Sequence, residues 1–242
     1  MIDFHAHVDR DPITKEFKIK ELLLDMQKNN IDQRVISTFA GGDVVYQNDA
    51  IISFVKAYPK QLIGCASINP KEDRSIEEAK RVVQFPEISL FEFDSMEHGY
   101  LPEKFDYNLV PILDIAKECG IIVKVFTGWG PRSAPQQWRK YIEKYPEVTF
   151  VIEHIGGIDF GYGCIDFVKP YDNVYLESSG QSEMTVLHLA FAQLPIHRFV
   201  FGSNYPTHFT ELSIDVFNDV GFSEEDKKLF YHENAKRLLS RK

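Results

Sequence analysis

The sequence predicts an α/β fold: a single (β/α)8 TIM barrel over residues 1–242 with an extra helix at its C-terminus. Three observations lead there. Eight short apolar, β-rich runs alternate with longer segments of helical period, and no linker or low-complexity stretch interrupts them. The length of 242 residues suits one such barrel. Chemically capable polar residues gather at the ends of the apolar runs, where a barrel of this kind builds its active site.

The first strand, 1–7, carries IDFHAH. Further strands are expected at 33–39, 62–68, 89–93, 121–126, 149–153, 174–177 and 199–202. Helices are expected at 19–29, 49–58, 75–84, 108–119 and 135–145, weakly near 165–169, and at 185–193 and 209–220. Tyr58-Pro59, Phe85-Pro86 and Tyr145-Pro146 each end a helix, because the residue before proline is pushed out of the helical region. The closing helix, 223–240, opens on Ser223 with Glu224 and Glu225 behind it, which suits an N-cap and the positive end of a helix dipole.

Composition narrows the partners. Acidic residues number 36 against 27 basic ones, a net charge of −9, which argues against nucleic acid or an anionic membrane and leaves a small molecule as the expected partner. A hydrophobic fraction of 44% allows a sizeable core. No apolar run approaches the roughly 20 residues of a membrane helix, and the chain begins almost at once with a strand, so a cytoplasmic protein is expected. Cys65, Cys119 and Cys164 are widely spaced and odd in number, and read as small core residues rather than a disulfide framework or thiolate site. Nothing in the sequence bears on the oligomeric state.

His5 and His7 lie two apart on a strand and so share a face, which is metal-ligand spacing; a buried strand carrying two hydrogen-bonded histidines would look the same. On the fourth strand Glu92 stands opposite Phe91 and Phe93 and should point into the barrel. On the fifth, Ile121, Val123 and Val125 suit the helices, which leaves Lys124 and Phe126 inward. Glu92 is therefore either a metal ligand or the ion-pair partner of Lys124. The sixth strand runs into Glu153-His154 and the glycine pair Gly156-Gly157. Sharing a face with Phe150 and Ile152, His154 should point inward at the mouth. Glu177, Asn204, Tyr205 and His208 follow the last two strands, and Glu97, His98, Trp129 and Arg132 lie in loops where substrate contacts reside. Each loop residue alone also fits ordinary surface. Arg10, Arg132 and His208 are suited to receive a carboxylate, which favours an anionic organic substrate.

The opening IDFHAH, HIGG after strand six, NVYLESSG at strand seven, FGSNYP at strand eight and the closing ENAKRLL together resemble the amidohydrolase-related (amidohydrolase 2-type) branch of the amidohydrolase superfamily, over essentially the whole chain. The resemblance implies a metal-dependent barrel enzyme, usually with zinc or manganese, that activates water for hydrolysis or, in some members, supports non-oxidative decarboxylation. It implies that His5 and His7 bind the metal, that Glu92 is a ligand as in some branches, and that His154 binds or deprotonates near the substrate. Two departures stand out: Phe126 occupies the position where the family usually has a strand-five histidine, and Asn204 stands where it usually has aspartate. A phenyl ring cannot ligate such a metal, and an amide cannot act as a general base.

Three readings follow. The leading one is a metal-dependent hydrolase with a divalent ion, zinc foremost and manganese second, on His5, His7 and Glu92, with His154 and Asn204 beside the reacting group and Trp129, Arg132, Glu177, Tyr205 and His208 holding the substrate. The second is a metal-independent lactone or ester hydrolase with His154 or Glu177 as base. The third is a degenerate barrel that binds a small ligand without turnover.

Overall fold

The computed structural model describes residues 1–39 and 42–240. Eight parallel strands stand in sequence order: β1 (Ile2–His7), β2 (Gln33–Ser37), β3 (Leu62–Ser67), β4 (Ile88–Phe93), β5 (Ile122–Val125), β6 (Phe150–Ile152), β7 (Val174–Glu177) and β8 (Phe199–Val200). Beyond the short β8 the chain returns to β1 and closes the barrel. The Phe4 amide donates to the Phe201 carbonyl (2.8 Å), the Asn204 amide to His5 (2.9 Å) and the His7 amide to Tyr205 (2.7 Å). The expected (β/α)8 barrel is the fold.

The helices are α1 (Ile19–Lys28), α2 (Val44–Ala57), α3 (Ser75–Val82), α4 (Asp106–Cys119), α5 (Arg139–Lys144), α6 (Gly157–Val168), α7 (Met184–Gln193), α8 (Thr210–Asn218), α9 (Glu224–Lys228) and α10 (Asn234–Leu239). Two differ instructively from expectation. Helix α2 begins five residues before the expected position 49, because the Asp43 carboxylate caps the Val45 and Tyr46 amides. Helix α6 is a full helix rather than a weak one near 165–169. Its glycines lower helix propensity but permit close packing: a Cβ on Gly161 would sit 3.0 Å from the Val186 side chain. The closing helix is broken by a π-turn at Leu229–Glu233 between α9 and α10. The capping box at Ser223 and Asp226 bears out the expected start.

Two apolar shells hold the barrel. The larger lies between strands and helices and includes Phe91, Phe93, Val123, Val125, Phe150 and Ile152. The smaller fills the barrel floor with side chains from every strand: Ile2 and Phe4, Val35, Cys65, Leu90, Ile122, Val151, Tyr175 and Val200, plugged from below by Ala235 and Leu238 of α10.

Alternation then dictates the next inward layer. Two residues beyond each floor residue come Ser37, Ser67, Glu92, Lys124, Glu153, Glu177 and Gly202. In β1 the pairing register shifts between Asp3 and Ala6, changing the phase of the strand so that His5 and His7 face the cavity above Ile2 and Phe4. A wholly apolar floor is thus covered by a polar layer at the C-terminal ends of the strands.

The β8-to-β1 seam has its own support. The buried Arg34 guanidinium donates from Nε to Asp3 Oδ2 and from Nη2 to Asp25 Oδ2, both at 2.8 Å. Asp3 in turn accepts from the amide (3.0 Å) and hydroxyl (2.6 Å) of Ser203. That network ties β2, β1, α1 and the strand-eight loop together beneath Asn204.

Candidate active site

At the centre of the polar layer stands Lys124. Its Nζ lies 3.0 Å from Glu92 Oε2, 3.0 Å from Glu153 Oε1 and 2.7 Å from His5 Nδ1, all among buried groups. Burial opposes the ammonium, but the Glu153 and Glu92 carboxylates outweigh it and hold the lysine well above its ordinary pKa. Glu92 shows the same balance from the other side: burial disfavours its charge, Lys124 restores it, and the net shift is downward. Glu92 thus forms the expected ion pair with Lys124.

The histidines can be assigned from their partners. His154 Nδ1 lies 2.8 Å from the Ser179 carbonyl, which only accepts, so Nδ1 carries the proton and Nε2 a free lone pair. Ser37 donates to Glu92 Oε2 (3.0 Å), so its oxygen accepts from His7 Nδ1 (3.0 Å), and His7 likewise keeps its Nε2 lone pair. His5 is the reverse case, because its Nδ1 faces an ammonium. Burial lowers all three imidazole pKa values, with Lys124 adding to the effect on His5, and takes His154 to about 3, so all three are neutral at neutral pH.

His5, His7 and His154 meet at the foot of a cavity of about 240 Å³, with Glu92, Asp94 and Asn204 also in its wall. The His5 ring centroid is 4.7 Å from that of His7 and 5.2 Å from that of His154, both edge-on. Phe39 stacks on His7 at 4.6 Å. Phe126 and Trp129 stack on one another and pack against His154. The residue in place of the family's histidine is therefore an apolar wall for His154. Trp129, Thr207 and His208 are shared with an adjoining cavity of about 500 Å³ that continues towards Ile158, Phe209 and Leu212.

His154 reaches the site by a different route from the one alternation suggested. Phe150 and Ile152 face the helices and Val151 faces the interior, so Glu153 occupies the inward position. Strand β6 ends at Ile152, and positive φ angles at His154 (63°) and Ile155 (49°) swing the imidazole over the barrel. The missed residue is Glu153, which the inward phase of Val151 would have indicated.

Other expected contacts divide. Trp129, Asn204 and His208 line the cavity. Glu177 is buried beneath it, accepting from the Ser179 amide (2.5 Å) and hydroxyl (2.9 Å) and from the His154 amide (3.3 Å), and burial pushes its pKa up to about 8. It braces the His154 and Ser179 backbone and lines neither cavity. Tyr205 packs its ring on the Arg34 guanidinium, 5.1 Å away, and lines neither cavity. Arg132 is exposed and turns to the Met96 carbonyl (3.4 Å), while Arg10 lies against Phe17 and Tyr46. Neither arginine lines the cavity, which leaves His208 as the one carboxylate receiver of the expected three in its wall.

The fold is a (β/α)8 barrel with a polar cluster at the C-terminal ends of its strands, and comparison makes the family assignment. The sequence model of the amidohydrolase family matches residues 2–241, and the chain belongs to that family. Curated protein sequences gave no match. Solved structures of similar fold include 5-carboxyvanillate decarboxylase from Sphingomonas paucimobilis, with 15% identity, a TM-score of 0.79 and 98% of each chain covered. A probable 2-pyrone-4,6-dicarboxylic acid hydrolase from Acinetobacter baumannii, with citric acid bound, shows 16% identity and a TM-score of 0.75, again with 98% of each chain covered. A 5-carboxyvanillate decarboxylase from Novosphingobium aromaticivorans, with manganese bound, shows 17% identity and a TM-score of 0.71 over 90% of this chain and 80% of that one. Among the described residues, no helix is long and apolar enough to cross a membrane.

Whether this chain suits a divalent ion can be judged from its donors. His5, Glu153 and His154 place ligand atoms within 4.8 Å of one another. Lys124 already supplies the positive charge there, however, pairing with Glu153 and donating to His5. Glu92 is likewise committed to Lys124 and Ser37. With the ammonium in place, the donor set does not fit a divalent ion.

Proposed function

We propose that the chain hydrolyses an ester, lactone or amide-type bond in a small organic acid, using protein groups alone to activate water. The observation that carries this reading is the pair of imidazole lone pairs, His154 Nε2 and His7 Nε2, held by Ser179 and Ser37 beside one small cavity.

His154 Nε2 takes a proton from water as the water oxygen bonds to the substrate carbonyl carbon. The bond to the leaving oxygen or nitrogen then breaks, and that atom receives the proton. A pKa of about 3 makes His154 a weak base at rest, but an anion bound beside the ring favours imidazolium and strengthens it as the reaction proceeds. Asn204, in the same wall, offers an amide to a polar substrate group but no proton acceptance at neutral pH. His208 lines both cavities, and in this reading it receives the carboxylate. The named substrates of the decarboxylase and hydrolase neighbours are carboxylic acids, which agrees with this choice.

A water activated by a metal that His5, Glu153 and His154 would hold is a second reading, favoured by their close grouping. Turnover of a panel of lactones, esters and N-acyl compounds of small acids, with and without EDTA, tests the proposal. Hydrolysis that survives chelation supports it, and hydrolysis abolished by EDTA and restored by zinc or manganese favours the second reading.

A further inference from the structure

We infer that the Lys124 ammonium takes the place of the metal ion in this barrel, and that by donating to His5 Nδ1 it converts His5 from a prospective ligand into a hydrogen-bond donor aimed at the substrate. Nδ1 of His5 lies 2.7 Å from Lys124 Nζ, and an ammonium has only protons to offer. Glu153 Oε1 also lies 3.3 Å from Nδ1 but makes no hydrogen bond with it and pairs with Lys124 at 3.0 Å, so Nδ1 presents its lone pair to the nearer ammonium and the single proton of the neutral ring sits on Nε2. A nitrogen bearing a proton cannot ligate a metal.

What surrounds that proton gives it a use. His5 Nε2 is buried and makes no hydrogen bond among the described residues. A buried donor without a partner is costly, and at a site it is explained by a ligand that supplies the acceptor. The Asn204 side chain lies beside the ring and engages it in a hydrogen-bonding interaction that favours the charged form without closing a bond to Nε2, so an acceptor on the ligand takes the place of the Asn204 amide oxygen. His5 lines the cavity between His7 and His154, whose free Nε2 lone pairs accept rather than donate. The site therefore presents one donor between two acceptors: a place for a carbonyl oxygen, or for the oxyanion it becomes, next to a base. Donors of this kind act where negative charge develops in the transition state.

The charges agree. Glu92 and Glu153 would suit a dication if they stood alone, but both already lie 3.0 Å from Lys124. In this arrangement the lysine supplies the site's positive charge from the protein itself, held on the fifth strand two positions before Phe126 and so on the same face. That pairing gives the two departures from the family pattern one cause: with a resident ammonium, neither a further imidazole at Phe126 nor a further carboxylate at Asn204 is needed to hold an ion.

The inference rests on the proposed hydrolysis only for the identity of the acceptor, and its test reads protons and metal rather than turnover. Long-range proton–nitrogen correlation spectra of imidazole-labelled protein at neutral pH should show His5 protonated at Nε2 and His154 at Nδ1, with signals assigned by His5→Gln and His154→Gln. Calorimetric titration with zinc should show no uptake by the wild type that depends on His5, whereas Lys124→Met, which frees His5, Glu92 and Glu153, should take up about one equivalent. His5 protonated at Nδ1, or a wild-type zinc site lost in His5→Ala, would overturn the inference. So would a folded Lys124→Met protein that binds no more zinc than the wild type. Should that variant fail to fold, the spectra and the wild-type titration still decide the matter.

Discussion

Lys124 Nζ lies 2.7 Å from His5 Nδ1 and joins β5 to β1 across the interior of the barrel. The contact belongs to a cluster in which one cation answers two carboxylates, so its members depend on one another. Removing the lysine leaves Glu92 and Glu153 buried without compensation.

Lys124→Met should accordingly lower stability by roughly 3–5 kcal/mol, the usual cost of breaking a buried ion pair from one side. Adding Glu92→Gln and Glu153→Gln should recover part of that loss, because the uncompensated charges go with it. Urea unfolding of the single and triple variants measures both effects. Equal losses in the two would show that the charges are not coupled.

A second load on the barrel falls on Arg34, which bridges Asp3 and Asp25 while Asp3 holds Ser203. Arg34→Met should cost about 3–5 kcal/mol by stranding Asp3. It should also accelerate amide exchange at Asn204 and His7, whose hydrogen bonds close the β8-to-β1 seam. Protection unchanged at those two amides would place the support of the seam elsewhere.

Asp94 lines the cavity, and burial pushes its pKa up to about 7. Below that pH it is neutral; as pH rises through about 7 it adds a negative charge to the cavity wall. An acidic substrate should therefore bind more weakly above neutrality, by about tenfold for a repulsion of ~1.4 kcal/mol. Asp94→Asn should remove the rise in KM between pH 6 and 8, values chosen about one unit either side of the shifted pKa. An unaltered profile would assign that pH dependence to another group.

Gly202 is the place where β8 makes room for Glu177: a Cβ there would lie 1.9 Å from Glu177 Oε1. Gly202→Ala should cost about 1–3 kcal/mol by displacing that carboxyl from Ser179 and His154. The cost should shrink when Glu177→Ala is added, because the clash is then gone. A double-mutant cycle measures the coupling, and strict additivity would disprove the clash.

Much of this was legible in the residues themselves. Alternation placed Glu92 and Lys124 inward, and both are, because Phe91, Phe93, Val123 and Val125 pack against the helices. Proline marked the ends of helices and the Ser223 cap marked the start of the last. Alternation failed at His154 because the strand stops one residue before Glu153 and the backbone leaves the extended region. It was equally silent on Tyr205, Arg10 and Arg132, whose partners Arg34, Phe17, Tyr46 and Met96 lie on other segments of the chain. Alternation offered the Lys124–Glu92 pair between neighbouring strands, but it does not show that the same ammonium reaches His5; that depends on β5 and β1 meeting across the interior.

The most direct measurement is the turnover number of EDTA-treated wild type and His154→Ala on the same hydrolysable acid. If His154 is the base, the wild type should retain its rate in chelator and the variant should fall by about 10²–10⁴-fold, the usual contribution of a positioned base. A variant rate within a few-fold of the wild type, or a wild-type rate that vanishes with EDTA and returns with added metal, would contradict hydrolysis by protein groups alone.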